Sequence, residues 1–145
     1  MTFYNKCFLL LIIFIFIGCA TTPITSIKEA SAVPETNIFY KSEGTVNNVI
    51  FVRDSGFVGS ALTAYLFMKI EPKYEKIRLA NLEAGEMVGF ALKEGEYVFH
   101  VEVSPLVGQI ENEISQKIES NKTYFFRILP MWGTGLHLQR TSLNN

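Results

Sequence analysis

From Asn48 to the C-terminus, apolar and polar side chains mostly follow a period of two, the spacing that places alternate residues on opposite faces of a strand. Val49-Ile50-Phe51-Val52 is a continuous apolar run set between Asn47-Asn48 and Asp54-Ser55-Gly56, the pattern of a buried strand bounded by turn residues. In Ala61 to Ile70 the set Leu62, Ala64, Leu66, Met68 and Ile70 shares one face, with Thr63, Tyr65, Phe67 and Lys69 on the other, and Pro72 ends the strand. Further strands are predicted near Tyr74–Leu79, Glu86–Leu92, Glu96–Val103, Lys122–Leu129 and Leu136–Thr141, with turns at Ala84-Gly85 and Lys93-Glu94-Gly95. Ile110, Ile114 and Ile118 are spaced four apart, which suits a helix face and a strand face equally; the neighbouring strands favour strand. Seven or eight short strands and no long helical period predict an all-β fold over residues 47–145, a small β-sandwich, immunoglobulin-like or a partly closed barrel.

The N-terminus has a different build. Lys6 precedes the apolar run Cys7 to Ile17, which has the n-region and h-region of a secretory signal. Phe16-Ile17-Gly18-Cys19 resembles the lipobox of bacterial lipoproteins, in which a small residue precedes the cysteine that becomes the lipidated first residue of the mature chain; Phe16 stands where that family prefers Leu, Val or Ile. The resemblance implies a signal peptide over residues 1–18 and a Cys19 carrying acyl chains, palmitate among them, that anchor the protein in a membrane. Ala20, in place of an Asp, implies export to the outer membrane, facing the periplasm. The alternatives are an uncleaved anchor, for which the run falls short of the roughly 18–20 apolar residues a span requires, and plain secretion. Residues 19–46, from Cys19 through Thr21-Thr22-Pro23 and Pro34 to Val46, have no sustained apolar period and read as a tether, interrupted by Ile38-Phe39-Tyr40 as a first edge strand, with a partner motif as the alternative.

Charge and cysteine content narrow the partners. A net charge of −1 with mixed signs provides no basic field, so nucleic acid is not an expected partner. The two cysteines, Cys7 and Cys19, both belong to the signal region, so the domain has neither a disulfide nor a Cys-based zinc site and depends on its apolar core.

The segment Val49 to Ala61, with the later Glu94-Gly95-Glu96-Tyr97 and Asn121-Lys122-Thr123-Tyr124-Phe125-Phe126, resembles the bacterial envelope family described as domain of unknown function 2846, over about Asn47 to Leu129. The resemblance implies a lipoprotein or exported protein with a compact β-domain similar to immunoglobulin-like sandwiches, and no established activity. Where such domains usually have an Asp-Gly hairpin after the second strand, this chain has Glu71-Pro72-Lys73-Tyr74.

Little in the sequence suggests catalysis. His100 and His137 are the only histidines and lack the close spacing of a helical metal motif. His100 falls on the polar face of its strand beside Glu102, as a solvated histidine with ion-pair character would. Asp54, the only Asp, sits in Asp54-Ser55-Gly56, where its carboxylate can bond a backbone amide two residues on. A triad of Ser55 or Ser60 with His100 and Asp54 is permitted by composition but lacks a Gly-x-Ser-x-Gly elbow. Gly133-Thr134-Gly135 and Asn121-Lys122-Thr123 read as turns. No cofactor or metal is expected, and no catalytic residue is assigned. The candidate interaction residues are Arg53, Asp54 and Phe57 in one loop and Trp132 in the loop Pro130 to Gly133, the two loops meeting at one end of the sandwich; Phe57 and Trp132 would otherwise plug the end of the core. The expected function is that of a membrane-anchored, non-enzymatic envelope lipoprotein whose β-domain binds a protein or cell-wall partner, with a soluble-ligand carrier or an envelope hydrolase as alternatives.

Overall fold

The computed structural model describes residues 21–42, 44–56, 62–70, 75–103, 112–131 and 135–143; Cys19, Phe57 and Trp132 lie outside them. The fold is a β-sandwich. One sheet has the order β11 (Gly135–Thr141), β10 (Tyr124–Met131), β3 (Val49–Arg53), β7 (Glu86–Phe90), β2 (Ser31–Ala32). The other has the order β6 (Lys76–Leu82), β5 (Ala64–Ile70), β8 (Gly95–Val103), β9 (Asn112–Ile118). A two-stranded ribbon joins β1 (Thr21–Thr22) to β4 (Ser55–Gly56). The eight strands of five or more residues correspond to those predicted by the period of two. Among the described residues the sheets do not close into a barrel.

The inward faces interdigitate around an aromatic centre. Phe51 lies 5.1 Å from Phe99 edge-on and 5.2 Å from Phe126 in a stack, with Leu66, Met68 and Ile128 fully buried around them. Central β3 pairs parallel with β10, Val49 opposite Tyr124, and antiparallel with β7. The Ile110–Ile118 ambiguity resolves as strand over Asn112–Ile118, where Ile114 and Ile118 share the inner side with Asn112 and Gln116. Asn112 works as a bridge between sheets: its Oδ1 accepts from Leu138 N of β11 at 3.1 Å and its Nδ2 donates to His137 Nδ1 at 2.6 Å. One side of the sandwich is thus joined by a side chain and not by a backbone ladder.

The third strand differs from its expected bounds, running from Lys76 to Leu82 instead of ending at Leu79. A bulge is the reason. Leu66 pairs with Ala80 and Phe67 with Arg78, so Leu79 is the extra residue, and Leu79 and Ala80 are both fully buried although adjacent. That insertion breaks the period of two on which the boundary was based.

The segment expected to be a tether is instead part of the fold. The continuous apolar run in β3 points Val49 and Phe51 at the opposite sheet and Val52 away from it, and this outer side also has to be covered. Ile24 supplies the cover, with Leu143, Ile27, Ala30, Met87 and Phe125 packed around the same cluster. The chain then runs along the sheet edges. β2 pairs with β7, Val33 N donates to Met87 O at 3.0 Å, and Ile38 bridges Ala80 on the edge of the other sheet. Ile38-Phe39-Tyr40 is therefore a single bridge and not an edge strand, and Phe39 and Tyr40 both donate to the one carbonyl of Leu79. The domain begins by Thr21, not near residue 47, because residues 21–40 cover an apolar face and two otherwise open strand edges.

Removing that segment tests its role. A chain beginning at Val46 loses buried Ile24 and Val33, each worth about 1.5–3 kcal/mol when fully buried. Compared with a chain beginning at Thr21, it is expected to lose several kcal/mol in urea unfolding and to aggregate through its uncovered edges. Equal midpoints for the two chains would show that the segment is an accessory.

Candidate interaction surface

Arg53 and Asp54, expected in an exposed loop, are buried at 2% and 3% exposure and committed to internal partners. Arg53 ends β3 facing inward, where its Nη1 donates to Leu82 O at 2.6 Å and its carbonyl accepts from Gly85 N at 3.0 Å. Burial pushes its pKa down, opposed by the nearby carboxylates of Glu83 and Glu86. Asp54 does not bond the amide two residues ahead. Its Oδ1 accepts from Ile24 N at 3.0 Å and lies 3.1 Å from Arg127 Nε, while Arg127 Nη2 donates to Ile24 O. Burial raises the Asp54 carboxyl, and the Ile24 hydrogen bond and the Arg127 charge oppose the rise. Asp54 therefore helps hold the N-terminal segment to the sheet, and both side chains belong to the interior and not to an exposed loop. Ser55-Gly56, expected to be a turn, pairs with Thr21-Thr22 because Asp54 draws that segment across it.

Phe57 and Trp132 are outside the described residues, but the strand ends that lead to them are described. Arg53 is level with Ile128 in the parallel pair, β4 follows Arg53, and β10 runs on to Met131. The strands before the two loops therefore end at the same end of the sandwich.

The outer face of the four-stranded sheet holds a group that the sequence placed in solvent. His100 is only 1% exposed. The Phe67 ring lies 5.3 Å from its ring, and its Nε2 donates to Glu102 Oε1 at 2.8 Å. Nδ1 sits 3.7 Å from Glu113 Oε1 and makes no hydrogen bond among the described residues. Each glutamate has its own cation, Lys76 on Glu102 and Lys69 on Glu113, and the Lys76 ammonium also lies 4.2 Å from the centroid of Phe67. Burial acts to raise the Glu102 carboxyl, but the Lys76 and His100 hydrogen bonds outweigh it and hold the group below the ordinary carboxylate range. The Lys69 hydrogen bond does the same for Glu113. With its carboxylates matched by lysines, this cluster ties β5, β6, β8 and β9 together. It does not include Asp54, which is held by Ile24 of the N-terminal segment and Arg127 of the other sheet, so among the described residues His100 and Asp54 are not brought together.

Beside it is a surface built on the Ile38-Phe39-Tyr40 run, for which the sequence left a partner motif as the alternative to an edge strand. Phe39 remains 51% exposed although it is held by backbone to β6. The Arg78 guanidinium lies 4.3 Å from the Phe39 ring and 5.0 Å from Tyr65, and its Nε donates to Asn81 Oδ1 at 3.0 Å. An aromatic–arginine–aromatic stack is thus fixed at the surface. Next to it runs a groove of about 570 Å³, with Ile38, Phe39, Tyr40 and Phe90 as its apolar wall and Glu35 and Lys41 as its charged lining. A second groove of about 270 Å³ shares Ile38 and Gly89. The signal in sequence was Ile38-Phe39-Tyr40, an aromatic run in a polar stretch; Arg78 had no signal, because the bulge at Leu79 hides which face it takes.

The His100 cluster makes a pH-dependent contribution with a definite sign. A carboxyl held low by folding stabilises above its unfolded pKa, and that contribution is lost as pH falls through the lowered value. Glu102→Ala leaves His100 Nε2 without its partner and is expected to cost about 1–3 kcal/mol at neutral pH. The deficit should shrink below about pH 4.3, the ordinary Glu value, when urea midpoints are followed against pH. A deficit that is constant with pH would mean that packing, not charge, was lost.

No family model matches this chain and no curated protein matches it, so a functional reading has to rest on its own residues and surfaces.

Proposed function

We propose that this chain is a lipid-anchored protein of the bacterial cell envelope, acylated at Cys19 and held at the outer membrane facing the periplasm, whose β-domain is a non-enzymatic binding module for a protein or cell-wall partner. The resemblance to domain of unknown function 2846 belongs to the same reading. Anchoring is supported by Lys6, the apolar run to Ile17 and the Gly18-Cys19 junction. Binding is supported above all by Phe39, exposed and stacked under Arg78 at the edge of an apolar groove, since aromatic and arginine side chains in such positions commonly supply most of an interface's energy. The buried charges, by contrast, are matched internally, as those of a structural scaffold are.

The two halves of the proposal are tested separately. Cys19→Ser removes the thiol that accepts lipid, so the precursor should accumulate uncleaved and unacylated, and mass spectrometry of the wild-type N-terminus should find an acylated Cys19. A mature wild-type chain that starts elsewhere would remove the anchor. For binding, Phe39→Ala should change stability by less than about 1 kcal/mol, as surface substitutions do, while weakening capture of envelope partners by the full-length protein. Undiminished capture would remove this groove as the binding face.

A further inference from the structure

We propose that the end of the sandwich where β1 pairs with β4 rests directly on the lipid headgroups of the leaflet that holds Cys19. The inference depends on Cys19 being the acylated residue. Strand pairing is in place at Thr21, opposite Gly56, and at Thr22, opposite Ser55. Two residues on, Ile24 is 3% exposed and held from both sides, its N–H by Asp54 and its carbonyl by Arg127. Only Ala20 separates Thr21 from Cys19. Two peptide units span at most about 7 Å, close to the roughly 5–8 Å depth of one headgroup region. A free tether over residues 19–46 would instead let the domain range roughly 30 Å from its anchor.

The surface brought down by this attachment can be named. Gly85 N donates to Arg53 O at 3.0 Å and Ser31 N donates to Gly85 O at 2.9 Å, which sets the β6–β7 turn Glu83-Ala84-Gly85 beside the ribbon. A Cβ at Gly85 would lie 3.7 Å from Ser55 Cβ, and Ser55 Oγ donates to Thr22 O at 3.3 Å. Thr22, Ser55, Gly56 and the turn thus form one small hydroxyl-bearing surface. In that surface Glu83 is the one charged side chain, which limits the cost of bringing it toward a headgroup layer.

The absence of other cysteines from the mature chain makes the test direct, because a single introduced thiol can be labelled while Cys19 is acylated. Ala84→Cys and Ser120→Cys, at opposite ends and roughly 25–30 Å apart by strand length, are purified as full-length lipidated proteins. Each is labelled with an environment-sensitive fluorophore and placed in phosphatidylethanolamine–phosphatidylglycerol vesicles containing headgroup-nitroxide lipid. Quenching at residue 84 should exceed that at residue 120 at least threefold, and twenty Gly-Ser residues inserted between Ala20 and Thr21 should bring the two toward equality. Equal quenching at both sites in acylated protein, or a ratio unchanged by the insertion, would overturn the proposed orientation alone. Failure to find acylated Cys19 by mass spectrometry would overturn the anchor, and the orientation with it.

Discussion

The three-way contact of Asp54, Ile24 and Arg127 is the interaction on which the rest of this architecture depends. A sheet whose central strand is apolar on both sides cannot stand with one side in water, and here the missing layer comes from the N-terminal segment. Hydrophobic contact alone has no direction. The Asp54 carboxylate on the Ile24 N–H and the Arg127 guanidinium on the Ile24 carbonyl fix where the segment lies and which way it runs. From that point it can reach the edge of β7, cross to β6, and remove two exposed strand edges that would otherwise invite pairing with other chains. Burying Asp54 and Arg53 opposes ionisation of both, and the structure tolerates this because each has backbone and charged partners.

The fold class was legible because strand alternation is a local property. The eight longer strands can be followed from side-chain period, and the β9 assignment was within reach once its neighbours were read as strands. What could not be read was set by contacts far apart in the chain. Nothing local in Thr21 to Tyr40 shows that Ile24 and Val33 are buried, since single apolar residues in polar surroundings are also common on surfaces. Asp54-Ser55-Gly56 has the composition of a turn, and a partner thirty residues away overrides it. His100 sits on the polar face of its strand, as alternation requires, and is nevertheless buried, because Phe67 and two lysine-matched glutamates surround it. Of the residues singled out for interaction, Arg53 and Asp54 belong to the interior, whereas Phe39 and Arg78 meet in space only after the N-terminal segment has docked on β6.

The two outer faces of the sandwich have been given different work. On the five-stranded sheet the outer face is apolar and is closed by the chain itself. On the four-stranded sheet it is a lattice of cations placed over aromatic rings, with Lys76 on Phe67 and Arg78 on Phe39 and Tyr65. Such a face lays flat aromatic surface under charged groups, and the groove beside Phe39 lies where the two regimes meet.

The parallel pairing of β3 with β10 has a consequence for how the chain comes to its native state. Val49 cannot find Tyr124 until most of the domain has emerged, and bringing such distant segments together costs loop-closure entropy before any contact repays it. The N-terminal cover depends on β7 and on Arg127 of β10, so the first part of the domain to be made is the last to find its place. During that interval Val52, Met87 and Phe125 face solvent together. Until that cover is in place the chain is in its most adhesive form, with the patch that later closes on Ile24 open to other chains.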